Sequence, residues 1–386
     1  MRTAAIVCEY DPLHLGHARQ YALVRQALGE DARIVCLMSG NYVQRGRPAV
    51  IAAPARARAA VLCGADLVLE LPLTASLSSA EGFAGGAVDV LDRLGVADCL
   101  CFGCESGDGN LIMSTASLLR SDAFTEALRA RLTEGRSFAA TRQAALEAVG
   151  GDGSVLQNPN DILAVEYCKA LLARGCSVRP LAVRRGGGYH DTKIDPVNPS
   201  STALRAMMPG PDWLAYVPAA ARGVFEHEKL HRADFGERAV LARLRAMDDG
   251  EFEALPYGSE GLWRRLMAES RRASSLEGLI AAVKSRRYAR SRIERMILCA
   301  FLGVRADDLA APAPYVRVLA FNAAGRDILR EARTNGSIRI LHPGEAAEGR
   351  YAWLEQRAER LYPLFLPPED LPEIPEKPRV FCAPED

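Results

Sequence analysis

The chain has 386 residues, enough for two or three domains with their own cores, and its 48 basic side chains balance 48 acidic ones. A formal net charge of zero excludes a global field that draws nucleic acid to the whole surface, so any RNA site must be a local patch. The first apolar run, residues 4–8, is too short for a secretory leader, and no run approaches the roughly 20 residues of a membrane span, so a cytoplasmic chain without a membrane partner is expected.

Residues 4–8 (Ala-Ala-Ile-Val-Cys) read as a buried strand, and 18–28 read as an amphipathic helix. Between them lies Glu9-Tyr10-Asp11-Pro12-Leu13-His14-Leu15-Gly16-His17. This strand, tight turn and helix aim ring N–H groups and a helix N-terminus at one spot, which suits a triphosphate. Gly16 lets the backbone approach a ligand where a Cβ would obstruct it. Further strands are expected over 33–38, 66–71 and 98–102, with helices over 56–63 (ended by Gly64) and 80–94. The alternation predicts an α/β fold with a doubly wound parallel sheet, in which ligands bind at the carboxyl ends of the strands. Tyr10-Asp11, Ser39-Gly40-Asn41, Leu71-Pro72 and Gly103 follow strands and should line that edge.

Residues 111–119, 123–132, 137–148 and 161–174 read as helices, with a flexible loop at Gly150-Gly151-Asp152-Gly153. A strand over 178–183, a loop over 184–190 and Ser200-Ser201-Thr202-Ala203-Leu204-Arg205 follow. Hydroxyls and N–H groups at a helix start hold phosphate oxygens, and Arg205 adds charge-assisted bonds. An ordinary helix N-cap after Pro199 is the alternative. From 212 the pattern is mostly helical, so the domains are expected at 1–211 and 212–386, with an irregular proline- and acid-rich tail from Pro367. No internal repeat is seen.

Within 260–300, ten basic side chains face four glutamates, a net charge of +6. Lys284, Arg286, Arg287, Arg290 and Arg292 suit backbone phosphates, and Tyr288 among them suits stacking on an unpaired base. A solvated helix face is the alternative reading. The ten cysteines (Cys8, Cys36, Cys63, Cys99, Cys101, Cys104, Cys168, Cys176, Cys299, Cys382) are expected as free thiols in a reducing compartment. Cys99-Leu-Cys101-Phe-Gly-Cys104 lacks a second ligand pair and reads as a strand entering a glycine turn, so no metal site is expected.

His14-Leu15-Gly16-His17 resembles the His-x-Gly-His signature of the nucleotidyltransferase superfamily, which makes adenylates from ATP. Ser200 to Arg205 resembles its Ser-Ser-Thr-x-(Ile/Leu)-Arg motif. Longer blocks narrow the resemblance to the tRNA(Met) cytidine acetate ligase family. Glu9 to His17 is similar to that family's Glu-Tyr-Asn-Pro-Phe-His-Asn-Gly-His. Ser39-Gly40-Asn41-Tyr42-Val43-Gln44-Arg45-Gly46-Arg47-Pro48-Ala49 is similar to Ser-Gly-Asn-Phe-x-Gln-Arg-Gly-Glu-Pro-Ala. Glu70-Leu71-Pro72, Phe102-Gly103, Pro159-Asn160-Asp161-Ile162-Leu163 and Ser285-Arg286-Arg287-Tyr288 also match, in the same order.

The resemblance implies a HUP-like nucleotidyltransferase that forms acetyl-adenylate from ATP and acetate, with Mg2+ on the phosphates. It implies transfer of the acetyl group to the wobble cytidine of elongator tRNA(Met), giving 4-acetylcytidine. The ATP site is expected over Val7, Cys8, Glu9, Tyr10, Asp11, Pro12, Leu13, His14, Leu15, Gly16, His17, Ala18, Arg19 and Gln20. Gly103, Asn160 and Arg185 complete it, and Ser201, Thr202 and Arg205 close over the triphosphate. His14 and His17 are expected to be catalytic, as hydrogen-bond donors to the transition state. On residues alone, Asn160 also reads as a cap of the helix from 161. Asp11, Leu13, Leu15 and Arg47 depart from the family pattern, and Asp11 adds a negative charge beside a phosphate site. The other functions weighed are an adenylyltransferase acting on a small phosphorylated metabolite and an RNA-binding module with a degenerate nucleotide pocket.

Overall fold

A computed structural model describes residues 1–132, 138–185, 195, 199–342, 345–372 and 380–384. Its organising strand is β1 (Thr3–Cys8), followed by α1 (Leu15–Leu28) and β2 (Arg33–Ser39). A small antiparallel hairpin, β3 (Tyr42–Val43) with β4 (Arg47–Pro48), precedes α2 (Ala53–Leu62) and β5 (Leu67–Leu71). Then come α3 (Leu73–Ser76), α4 (Ala80–Leu94) and β6 (Cys99–Cys104). Four helices follow: α5 (Gly109–Leu118), α6 (Asp122–Arg131), α7 (Phe138–Ala148) and α8 (Pro159–Arg174). β7 (Arg179–Arg184) and α9 (Ser201–Met207) complete the first part.

β1 pairs in parallel with β2 on one side, from Thr3↔Arg33 to Cys8↔Met38, and with β6 on the other, from Ala4↔Cys99. The chain therefore leaves β1 toward β2 and later returns to its opposite side. That reversal of strand order opens a crevice at the carboxyl ends of β1 and β6, the usual ligand position in such sheets. Side chains alternate across the sheet. Val35 and Leu37 of β2 face one core with Phe83, Leu91 and Tyr167, whereas Ile34, Cys36 and Met38 face the other with Tyr21 and Val24.

The second part begins with α10 (Ala219–Phe225), α11 (Glu237–Ala246), α12 (Asp249–Glu253) and α13 (Leu262–Ser270). It continues with α14 (Leu276–Val283), α15 (Arg290–Leu302) and α16 (Ala306–Ala310). Leu244, Phe252, Leu279, Met296 and Phe301 build its own core. The chain then re-enters the sheet with β8 (Tyr315–Phe321), α17 (Ala323–Asn335), β9 (Arg339–Leu341), α18 (Arg350–Leu361) and β10 (Phe381–Cys382).

The order across the sheet is β10-β8-β5-β2-β1-β6-β7, with β9 beside β8. The expected division at 211/212 thus does not separate sheet from helices. β8 covers the edge of β5, and it is antiparallel to it, with Leu67 opposite Phe321, on an otherwise parallel sheet. The tail expected to be irregular supplies β10. Smaller differences matter for the site. α1 starts three residues earlier than expected because His14 is its extended N-cap. β6 runs on through Gly103 to Cys104 instead of stopping at Phe102. The expected loop over 186–190 and helical position 137 lie outside the described residues.

Arg56 of α2 is fully buried. Its Nε donates to the carbonyl of Ile51 at 2.7 Å, and its Nη1 to that of Ser39 at 3.1 Å. The same guanidinium also donates to the carbonyls of Glu9 and Gly40. One planar fork therefore ties the ends of β1 and β2 together, a role the point charge of lysine does not reproduce. Arg56→Ala strands a set of buried carbonyls, and the free energy of unfolding should fall by about 3 kcal/mol or more in urea titrations. Wild-type stability in this variant would show that the fork is dispensable.

Candidate active site

A cavity of about 660 Å³ opens where β1, β6 and β7 end, with α9, the β3–β4 hairpin and the start of α15 around it. Tyr10, the second residue after β1, has φ +46°, a backbone conformation that costs a bulky side chain about 1–3 kcal/mol. Burial of the ring holds it there. Its hydroxyl accepts from the Tyr21 hydroxyl at 2.6 Å and lies 3.4 Å from Cys36 Sγ. The chain reverses at this point, and the following turn faces the cavity.

His14 and His17 stack with ring centroids 3.7 Å apart, and the edge of Tyr10 packs on His17 at 4.8 Å. The His14 backbone N–H donates to His17 Nδ1 at 3.2 Å, so the proton of a neutral His17 sits on Nε2. His14 Nδ1 is buried with no partner among the described residues. A Cβ on Gly16 would lie 3.1 Å from His14 Cε1, so this glycine makes room for the ring. Burial, then Arg185 and Arg205, push His14 down to about 3. Burial, then His14 and Arg185, push His17 well below its usual range. Both rings are therefore neutral N–H dipoles at neutral pH.

Asp11 is buried against three partners. Its Oδ1 accepts from the Val50 N–H at 2.7 Å, and its Oδ2 lies 2.8 Å from Arg47 and 3.6 Å from Arg205. Burial raises this carboxyl, but Arg47, Arg205 and Arg56 outweigh it and hold it low, so Asp11 is ionised and compensated. Arg205 also donates to the Asp11 carbonyl at 2.6 Å and to Thr202 Oγ1 at 3.0 Å. In the serine-rich stretch, Ser200 is the helix cap, accepting from Ala203 N–H at 3.1 Å, which leaves Ser201, Thr202 and Arg205 on the cavity wall.

Across the cavity, Arg185 Nη1 donates to Asn160 Oδ1 at 2.9 Å, and Asn160 Nδ2 donates to Glu105 Oε1 at 2.6 Å. Glu105 also accepts from the backbone N–H groups of Asn160 and Asp161. Glu105 thus joins Asp161 as an acid at the start of α8, and Asn160 is free to orient Arg185. Glu105 carried no signal in the sequence. A Cβ on Gly103 would come within 2.7 Å of Arg185 Cγ, so only glycine lets this arginine lie across the end of β6.

Of the expected ATP residues, Val7, Cys8, Glu9, Tyr10, Asp11, His14, Gly16, His17, Arg19 and Gln20 line the cavity, with Gly103, Asn160 and Arg185. Pro12, Leu13, Leu15 and Ala18 do not, and Leu13 is fully buried in the core beneath the turn. Sequence reasoning left Gln44, Arg45, Arg47, Arg184, Ser291 and Arg295 unassigned, and all six line the cavity. The block Ser39 to Ala49 was the available signal for three of them. Altogether seven arginines and two carboxylates, Glu9 and Asp11, surround the space, a net charge of +5 in a neutral protein.

No three His, Cys, Asp or Glu side chains converge on a metal position among the described residues. Glu9 accepts from the Gln44 N–H at 2.7 Å, and Asp11 is engaged by arginine, so the two carboxylates form no metal cage. Cys99, Cys101 and Cys104 lie along β6, where burial pushes the first two thiols up to about 11 and about 12.

The expected RNA face changes in composition. Lys284, Arg286 and Arg287 are exposed, but Tyr288 is buried in the helical core and donates its hydroxyl to the Glu260 carbonyl at 2.5 Å. It is a packing residue and presents no stacking surface. Arg290 is bidentate to Glu277 at 2.7 and 2.6 Å and also reaches Glu294, and Arg292 pairs with Glu260 at 3.2 Å. Their charges are spent within the helical module.

The HIGH Nucleotidyl Transferase family model matches residues 1–373. A tRNA(Met) cytidine acetate ligase of Clostridium novyi is 34% identical over 358 residues, covering 88% of this chain and 89% of that protein. A tRNA(Met) cytidine acetate ligase of Acetivibrio thermocellus is 30% identical over 366 residues, covering 88% of each. The crystal structure of Thermotoga maritima TmcAL bound with alpha-thio ATP aligns with TM-score 0.86 and 27% identity over 99% of this chain and 100% of that one. The apo form of the same protein aligns with TM-score 0.89 and 28% identity, over the same shares of both chains.

The buried neutral histidines have a thermodynamic signature. His14 binds a proton at its usual 6.5 when unfolded but only at about 3 when folded, so the stability it carries is full above 6.5 and is lost as pH falls toward 3. Between pH 7 and pH 5 the wild type should lose about 2 kcal/mol more than His14→Asn in urea titrations. Equal losses in both proteins would mean that His14 is protonated in the folded state.

Proposed function

The chain belongs to the tRNA(Met) cytidine acetate ligase family, built on the HIGH nucleotidyltransferase fold, and on that premise we propose how its own residues serve that reaction. ATP occupies the crevice beside β1, and acetate attacks its α-phosphorus to give acetyl-adenylate and pyrophosphate. The exocyclic amine of the wobble cytidine of elongator tRNA(Met) then attacks the acetyl carbon, AMP leaves, and the amine loses a proton to give 4-acetylcytidine.

The observation that carries this reading is the cavity's charge: seven arginines around two carboxylates, one of them tied to a backbone amide and the other to arginines. That surplus fits a polyanion whose negative charge shifts toward the departing pyrophosphate. His14 and His17, as neutral rings, supply N–H groups without adding fixed charge. Arg185, oriented by Asn160, and Arg205, oriented by Asp11 and Thr202, hold phosphate oxygens. Both steps are direct displacements and need no enzyme nucleophile. The thiol nearest the turn, Cys8, is pushed up by burial and is a poor thiolate. Magnesium enters as part of the MgATP substrate. Lys284, Arg286 and Arg287 precede α15, whose first turns place Ser291 and Arg295 on the cavity, so they suit the phosphates of an RNA entering there. No described helix is long and apolar enough to cross a membrane, and we place the reaction in the cytoplasm.

Acetate-dependent exchange between ATP and pyrophosphate tests the first step, and His17→Ala should lower it by ~10²-fold or more. Exchange that requires a phosphorylated metabolite instead of acetate, or that is unchanged in both single histidine variants, contradicts the reading. In calorimetry, Arg185→Ala should weaken ATP binding about 10-fold or more, as expected for lost charge-assisted hydrogen bonds. Wild-type affinity removes Arg185 from the site.

A further inference from the structure

A second hollow, of about 350 Å³, lies at the C-terminal end of α15 among α11, α12 and α18. Arg243, Arg305, Arg350 and Arg357 line it, and Trp353 stands 41% exposed beside them. The guanidinium of Arg350 lies 4.7 Å from the Trp353 ring and that of Arg357 lies 5.4 Å from it. Glu251 pairs with Arg243, and Asp308 pairs with Arg350 at 2.6 Å. Arg305 and Arg357 have no ion pair among the described residues, and four arginines of the hollow face two carboxylates, Glu251 and Asp308. Among the described residues, Arg357 Nη2 donates only to the Phe301 carbonyl at 3.2 Å, and its Nε, like that of Arg243, is buried without a partner. Burial, then Arg243, Arg360 and Arg350, hold the Arg357 guanidinium below its usual range against the opposing pull of Glu251.

We propose that this hollow is a second RNA-contact site, its arginines taking a backbone phosphate and Trp353 stacking on a neighbouring unpaired base. The inference rests on the reading that the chain acts on tRNA. Three arguments favour RNA over a small anion. An exposed tryptophan flanked by guanidinium groups offers a stacking surface in addition to charge. α15 links the hollow to the ATP cavity, because Arg295 lines one and Gly303 the other. They stand eight positions apart, about 12 Å of helix, so a nucleotide reacting in the cavity leaves its neighbours within reach. Finally, the combination of basic and aromatic side chains sought at 284–292 is not available there, because Tyr288 is buried.

Filter binding of an elongator tRNA(Met) transcript to the full chain across a salt series tests this. The double variant Arg305→Ala with Trp353→Ala should bind about 10-fold or more weakly, with a salt slope lower by about 1. Trp353→Phe, which keeps a ring, should retain most of the affinity. Acetate-dependent ATP–pyrophosphate exchange, which needs no RNA, should match wild type and shows that the variants are folded. If the wild type binds tRNA and the double variant binds equally well with the same slope, the hollow is not an RNA site and the ligase reading stands. If the wild type binds no tRNA, the ligase reading fails and takes this inference with it. If inorganic phosphate binds the wild type and not the double variant in calorimetry while both proteins bind tRNA equally well, the hollow is a small-anion site and the proposal is overturned.

Discussion

The site depends on one buried guanidinium. Arg56 binds the carbonyls that end β1 and β2, and those strand ends begin the two sequence blocks from which most of the cavity is made. Without such a fork, adjacent parallel strands end in unpaired carbonyls that repel each other. With it, Glu9 and Gly40 are held side by side, Tyr10 turns the chain at positive φ, and His14 becomes the cap of α1. The hairpin then lays Arg47 against Asp11, and Asp11 fixes Arg205 from α9. The arginines proposed to hold phosphate oxygens are thus positioned by a backbone interaction several residues away.

The same geometry explains two departures from the family pattern. Where the family carries asparagine and glutamate, this chain has Asp11 and Arg47, and the two touch at 2.8 Å. Taken separately, Asp11 places a negative charge where a phosphate belongs. Taken together, the pair is neutral, where asparagine with glutamate carries one negative charge. The buried carboxylate serves as an anchor for two arginines, and the pair adds no negative charge to the cavity.

Much of the first half was legible in the sequence because its strands are short apolar runs separated by helical patterns. Each strand end could be placed on one edge, and Gly103, Asn160, Arg185 and the histidines do meet there. What escaped was non-local. β8 is an apolar stretch within a helical region, and only the open edge of β5 makes it a sheet strand. Glu105 reaches Asn160 across 55 residues, and Asp11 meets Arg47 through a hairpin with two-residue strands. Tyr288 stands among arginines in the sequence, yet the helical core claims its ring. Adjacency along the chain does not fix which side of a helix reaches solvent, whereas Arg305, Trp353 and Arg357 gather in one hollow that no local motif announces.

On the proposed mechanism, the arginine-lined cavity joins acetate to the α-phosphorus before any RNA is acetylated. The most direct measurement uses acetate labelled with 18O on both oxygens, ATP and elongator tRNA(Met), with mass analysis of the nucleotide and RNA products. Attack by acetate leaves one labelled oxygen on phosphorus, so AMP should carry a single 18O and the wobble cytidine an acetyl group with the other. Unlabelled AMP, or ADP as the product, would contradict it.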